Sequence, residues 1–309
     1  METSKFVPSV AFHPGITLSE KLNEMKMSVK EFAVRTSKPE KTIFAVINGS
    51  SSITSDMAVA FEIVTRIPAH FWMNKQRTYD EYVARTRRKA IIEESQEWAE
   101  SFPFETMANL GWVEPCETAE EKVQALFNFF QVSTVKAWQD YYCNQQLKIA
   151  FSISLNSVKE PHAISAWLRQ GERQAESMSV EQFSDNELKL AIPEMKALME
   201  REPSDFTTQL QQLCSKVGVK LIITPCLPNA PIKGSTRRIS GIPCIQLSDC
   251  HEQSDIMWFT FFHEVGHILL HGKKDIFLES ADYTSMEQRK EEEADAFAAK
   301  IIPATKLSV

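Results

Sequence analysis

Along the first eighty residues, apolar positions recur at helical intervals. Leu18, Leu22 and Met25 mark a helix over 17–25, and Val29, Phe32 and Ala33 another over 28–35. After Thr36 and Ser37 the pattern predicts a further helix, with Pro39 at its first position and Asn48-Gly49 at its end. Ile43, Val46 and Ile47 face inward on it. Two small helices joined by so short a turn have the layout of a helix-turn-helix, although a plain helical bundle fits the same spacing. A capped helix follows from about Ser55, and I-P-A-H-F-W-M-N closes the unit. Residues 90–200 read as helices, among them a capping box at Thr118-Ala-Glu-Glu121 and a segment opened by Pro161 that carries Trp167 and Leu168.

From Asp205 the period changes. A helix (Leu210, Leu213, Val217) gives way after Gly218 to V-K-L-I-I-T-P, whose branched residues predict a strand. A loop with Pro228, Pro231 and Gly234 leads to a second predicted strand over 241–248. Lying just before the next helix, that strand is expected to be an edge able to hold an extended peptide. The stretch that follows, 255–272, is apolar around the whole helical circumference, which predicts burial on nearly every side. Yet His263, Glu264 and His267 sit in its middle.

Unpaired polar groups in such surroundings cost several kcal/mol, roughly, unless something satisfies them. His263 and His267 stand one turn apart in an H-E-x-x-H arrangement and can converge on one ion. Imidazole and carboxylate donors suit zinc, and Glu264 lies where it can handle the proton of an activated water. His271 continues the stack, but another turn adds about 6 Å of rise, which assigns it to a supporting role at the helix end. A third ligand must come from later in the chain. The acidic run Glu291-Glu292-Glu293 precedes a helix with Ala294, Phe297, Ala298 and Ile301 as its buried stripe, and periodicity leaves Glu291 and Glu293 both open.

Composition adds bounds. With 309 residues and 43% apolar content, the chain can form two or three domains around sizeable cores. Its six cysteines form no C-x-x-C pair and are expected to be reduced. No apolar run is long enough to span a bilayer and the start does not read as a leader, so no membrane role and a cytoplasmic location are expected. The net charge of -7 conceals a basic amino-terminal portion, with 14 Lys/Arg against 9 Asp/Glu in residues 1–90. That balance, together with Lys38, Lys41 and Thr42 at the start of the second small helix and Asn48 at its end, points to double-stranded DNA as a partner.

The motifs H-P-G-I-T-L-S-E, N-G-S-S-S-I-T-S-D-M-A and I-P-A-H-F-W-M-N make residues 11–77 resemble the small DNA-binding antitoxins of the HigA type. The resemblance implies operator or promoter binding, a toxin partner and a homodimer. The chain departs from it at Ser37, where Gly is usual, and at Pro39-Glu40-Lys41-Thr42, where Ser-Arg-Gln-Thr is usual. F-F-H-E-V-G-H-I-L-L-H-G followed by E-A-D-A-F-A-A-K-I-I-P makes residues 185–303 resemble the ImmA/IrrE metallopeptidases. That resemblance implies a zinc ion held by His263, His267 and Glu293, with Glu264 catalytic and with His271 and Asp295 supporting the ligands. Asp295 stands where the family more often has Asn.

The expected fold is mainly α with a small α+β part: a helix-turn-helix bundle over 1–77, a helical middle over 78–184 and a zincin-like domain over 185–309. The expected function is a transcriptional regulator or antitoxin carrying a zinc-dependent endopeptidase that cleaves a protein partner. The rival is a non-catalytic repressor that binds DNA and a toxin, with a structural zinc.

Overall fold

The computed structural model describes residues 11–146, 161–228, 230, 232–249, 254–271 and 283–303. Residues 1–10 and Pro231, used above, lie outside this set. The chain is mainly helical with one small sheet, as its periodicities predict, and it divides into two compact units, 1–94 and 95–309.

The first unit holds α1 (Pro14–Glu24), α2 (Val29–Arg35), α3 (Glu40–Ile47), α4 (Ser55–Thr65) and α5 (Ala69–Glu94). Three of the short helices, α1, α2 and α4, start at a side-chain cap. His13 Nδ1 accepts from the Gly15 amide, Ser28 Oγ from Glu31 and Thr54 Oγ1 from Met57. The predicted inward positions Leu18, Phe32, Ile43 and Val46 are fully buried, joined by Phe61 and Trp72. Ser37 takes a left-handed conformation (φ 52°) between α2 and α3, the backbone state for which Gly is the ordinary choice. The expected boundary at residue 77 falls inside α5, which runs unbroken to Glu94.

The second unit begins with α6 (Gln96–Glu100), α7 (Phe104–Asn109), α8 (Ala119–Phe130), α9 (Val135–Trp138) and a π-helical segment α10 (Gln139–Gln146). The Thr118/Glu121 capping box forms as predicted. Next come α11 (Pro161–Glu176), α12 (Asp185–Arg201), α13 (Phe206–Lys216), β1 (Lys220–Thr224), β2 (Gly234–Ile239), β3 (Ile242–Ser248), α14 (Ser254–Leu270) and α15 (Tyr283–Ile301). Within the second unit α11 packs against the sheet that carries the C-terminal helices. Lys220 Nζ donates to the Ala175 carbonyl, Arg237 Nη2 to Leu168 and Gln246 Nε2 to Trp167.

The strand order is β1-β3-β2, with β1 parallel and β2 antiparallel to β3. Two expectations are corrected here. The predicted strand over 241–248 is β3, the central strand and not an edge; the edges are β1 and β2, and β2 forms in the stretch beginning at Gly234 that reads as loop. Its Thr236-Arg237-Arg238 sequence lacks an apolar alternation because Arg237 is buried through hydrogen bonds, to Leu168 O and Gln246 Oε1, and not through apolar contact.

On the other face of the sheet lies α14. Trp258, Phe261, Phe262 and Val265 are fully buried in the core shared with α12, α13 and α15. Each large side chain contributes about 1.5–3 kcal/mol by burial, enough to hold the polar middle of α14 in a fixed place. Cys116, Cys214 and Cys244 are free whereas Cys226 is disulfide-bonded, so the expectation of six reduced thiols does not hold.

Candidate functional site

The polar middle of α14 faces α15. The two helices come close because Gly266 carries no side chain: a Cβ there would sit 3.3 Å from Ala294 Cα and 3.2 Å from Phe297 Cδ1. This contact sets the acidic run of α15 and the turn after it against the histidines. His263 Nε2 and His267 Nε2 are 2.9 Å apart. Glu291 reaches both, with Oε2 3.2 Å from His263 Nε2 and Oε1 3.4 Å from His267 Nε2.

These residues fit a metal ion. Ligand atoms about 2.0–2.1 Å from a tetrahedral zinc lie about 3.3 Å from one another. The three separations bracket that value, and His263, His267 and Glu291 are the one set of converging donors among the described residues. Without a metal the set is a strong ion pair. Burial works against a charged His263, but its hydrogen bonds to Glu291 and Asp295, which accept, and the charge of Glu264 outweigh it and raise the imidazole to about 9. Burial likewise opposes the Glu291 charge, and the two histidines outweigh it and bring the carboxyl down to about 2.

Of the two glutamates that periodicity left open, Glu291 faces both histidines, and Glu293, the position that the resemblance implies, does not. Positions 291 and 295 are one turn apart on α15, and both touch His263: Asp295 Oδ1 lies 2.8 Å from His263 Nδ1. Glu293, two positions on from Glu291, is turned roughly 200° away around the helix. Its carboxylate meets His271 Nε2 at 3.3 Å and Arg289 Nε at 2.9 Å. His271 in turn places Nδ1 3.0 Å from His267 Nδ1. Asp295 and His271 thus stand behind the two histidines, where a supporting carboxylate or imidazole belongs.

Glu264 is buried on the sheet side of the same turn, and burial raises its carboxyl above the usual range. Its backbone carbonyl accepts from Thr236 Oγ1 of β2 at 3.2 Å. A Cβ on Gly234 would lie 2.8 Å from Glu264 Oε1, so the edge strand opens on a residue small enough to pass the carboxylate. The signal that β2 is the strand beside the site was the glycine itself, set ahead of a run that ends in Ile239.

In the first unit, Lys41 is exposed on α3, Thr42 is half-buried, and Asn48 is exposed at the C-cap of that helix. Lys38 is engaged within the chain by an ion pair with Asp56 of α4, whose carboxyl it holds below the usual range. Phe44, which the periodicity leaves off the inward stripe, is 45% exposed, one turn on from Lys41.

Residues 214–308 match the family model of the IrrE N-terminal-like domain, Peptidase_M78. Two solved structures are similar to the amino-terminal part. One is described as an antidote protein of a plasmid maintenance system from Nostoc punctiforme, with 28% identity over 27% of this chain and 92% of that one and a TM-score of 0.27. The other is an addiction module antidote protein of the HigA family from Coxiella burnetii, with 33% identity over 27% of this chain and 91% of that one and a TM-score of 0.26. No curated protein matches the chain. No helix among the described residues is long and apolar enough to cross a membrane. Residues 214–308 are thus similar to the IrrE N-terminal-like domain family, and the amino-terminal part is similar to antidote proteins.

Proposed function

We propose that the protein is a DNA-binding regulator of the antitoxin kind whose C-terminal unit is a zinc-dependent endopeptidase acting on a protein partner. One observation carries the catalytic part: His263, His267 and Glu291 converge while buried Glu264 stands beside them, next to an edge strand. Zinc at such a set supplies Lewis-acid activation of a water and of the scissile carbonyl. Three protein donors converge among the described residues, the number that catalytic zinc sites use, with water taking the remaining position, whereas structural sites use four. Glu264 takes the proton of the attacking water. Its raised affinity for protons, a result of burial, suits a base that must afterwards pass the proton to the leaving amine. The outer edge of β2 pairs with an extended substrate backbone.

DNA binding rests on the helix-turn-helix formed by α2 and α3, on the exposed Lys41 and Asn48, and on the basic balance of residues 1–90. A toxin partner is part of this reading through the likeness in sequence to antidote proteins, and a homodimer through the resemblance of residues 11–77 to HigA-type antitoxins.

The test compares the intact protein with Glu264→Gln, measuring zinc content and cleavage of co-expressed partner proteins. Zinc content stays equal and cleavage falls at least about 100-fold, the contribution typical of a positioned base. Equal cleavage by both would overturn the enzymatic reading.

A further inference from the structure

The zinc reading of this site leaves one array unexplained. His267 Nδ1 of α14 lies 3.0 Å from Nδ1 of His271, the residue just past the helix end; His271 Nε2 lies 3.3 Å from Glu293 Oε2 of α15, and Glu293 Oε1 accepts from Arg289 Nε at 2.9 Å. Two facing Nδ1 atoms at that distance admit one proton between them, so one imidazole donates and the other accepts. Coordination settles which. When His267 binds metal through Nε2, the atom aimed at His263 and Glu291, its proton is confined to Nδ1. His271 must then accept at Nδ1 and carry its own proton on Nε2, where the Glu293 carboxylate receives it. Every bond in the array has a definite direction in that state, and Arg289 holds the carboxylate at its far end. The other metal-binding histidine has a shorter version of the same support, Asp295 directly on His263 Nδ1.

We propose that His271 and Glu293 are positioning residues that hold His267 in its metal-binding tautomer, with Glu293 acting two hydrogen bonds away from the metal. This deepens the zinc reading and rests on it. It gives Glu293 a task that differs in kind from that of Glu291, two residues before it. Glu291 supplies a ligand atom, and Glu293 supplies the acceptor that fixes a neighbour's proton.

The test uses the full chain loaded with zinc alone, with affinity read by competition against a chelator. His271→Ala and Glu293→Ala each weaken zinc binding about 10–100-fold, the range for lost support of a metal-bound histidine. The double variant is no weaker than His271→Ala alone, because both act through one path. In His271→Asn, whose amide oxygen can accept from His267 Nδ1 without help from Glu293, affinity recovers and adding Glu293→Ala changes nothing. Nitrogen NMR of the zinc-loaded wild type shows the His267 proton on Nδ1, and the thermal midpoint of the metal-free variants equals that of the wild type.

Loss of stoichiometric zinc in Glu293→Ala would make Glu293 a ligand and overturn the proposal. So would unchanged affinity in both single variants, additive losses, or a fall confined to the metal-free thermal midpoint. If the wild type itself takes up no zinc, the metal reading fails before the positioning question arises.

Discussion

The two units each place polar side chains on a short helix, but in opposite settings, and the setting decides how much of their role is determined. On α14 the half-buried histidines and buried Glu264 lie against a packed core, where polar atoms need partners, and the imidazoles find theirs on α15. On α3 the polar residues face solvent, which satisfies any of them without constraint. Lys38 shows the consequence: it sits where DNA contact was expected, yet it pairs with Asp56. Burial makes chemistry specific, and exposure leaves it to the ligand.

That contrast is sharpened most by pH. In the metal-free protein His263 is raised from an ordinary 6.5 to about 9, so its contribution to stability is full below 6.5 and is lost as pH rises through 9. Glu291, brought from 4.5 down to about 2, contributes above 4.5 and loses its contribution as pH falls through 2. A proton on His263 must leave before zinc can bind there, so zinc affinity rises with pH about tenfold per unit up to about 9 and then levels off. Calorimetric titration across that window checks this, and a flat profile would mean that the pair is not protonated as described. The exposed helix of the first unit should show no such step.

A smaller effect is expected at the surface. Lys41→Ala weakens promoter binding roughly tenfold and lowers the salt slope by about one, while leaving the fold unchanged. Gel-shift titration at several salt concentrations measures both. Phe44 sits on the same face, and apolar side chains there read thymine methyl groups. Replacing operator thymines by deoxyuridine therefore weakens the wild type at one position and has no effect on Phe44→Ala. The smallest change concerns the turn. Ser37→Gly relieves a left-handed serine and stabilises the first unit by about 0.5–1 kcal/mol, visible as a raised midpoint in denaturant unfolding.

The same contrast explains how much was legible beforehand. Helices were readable wherever an apolar stripe met a cap, as at Ser28, Thr54 and Thr118, because both signals are local. The histidine pair was readable because its spacing is that of one helix. Glu291 was not separable from Glu293, because that choice depends on the rotation of α15 about its own axis. The rotation is set by the contact of Gly266 with Ala294 and Phe297, between residues far apart in the chain. The edge strand β2 was missed for a similar reason. Arg237 lies inward only because the carbonyl of Leu168 and the amide oxygen of Gln246 await it, and neither belongs to the strand itself.

The central claim is that α14 and α15 together grip a divalent cation through His263, His267 and Glu291. Crystals grown with zinc and measured on either side of its absorption edge test it most directly. The account predicts one anomalous peak within bonding distance of the two Nε2 atoms and the Glu291 carboxylate, with the peak gone in Glu291→Ala. A peak bonded to Glu293 instead, or no peak at all at full zinc saturation, would contradict it.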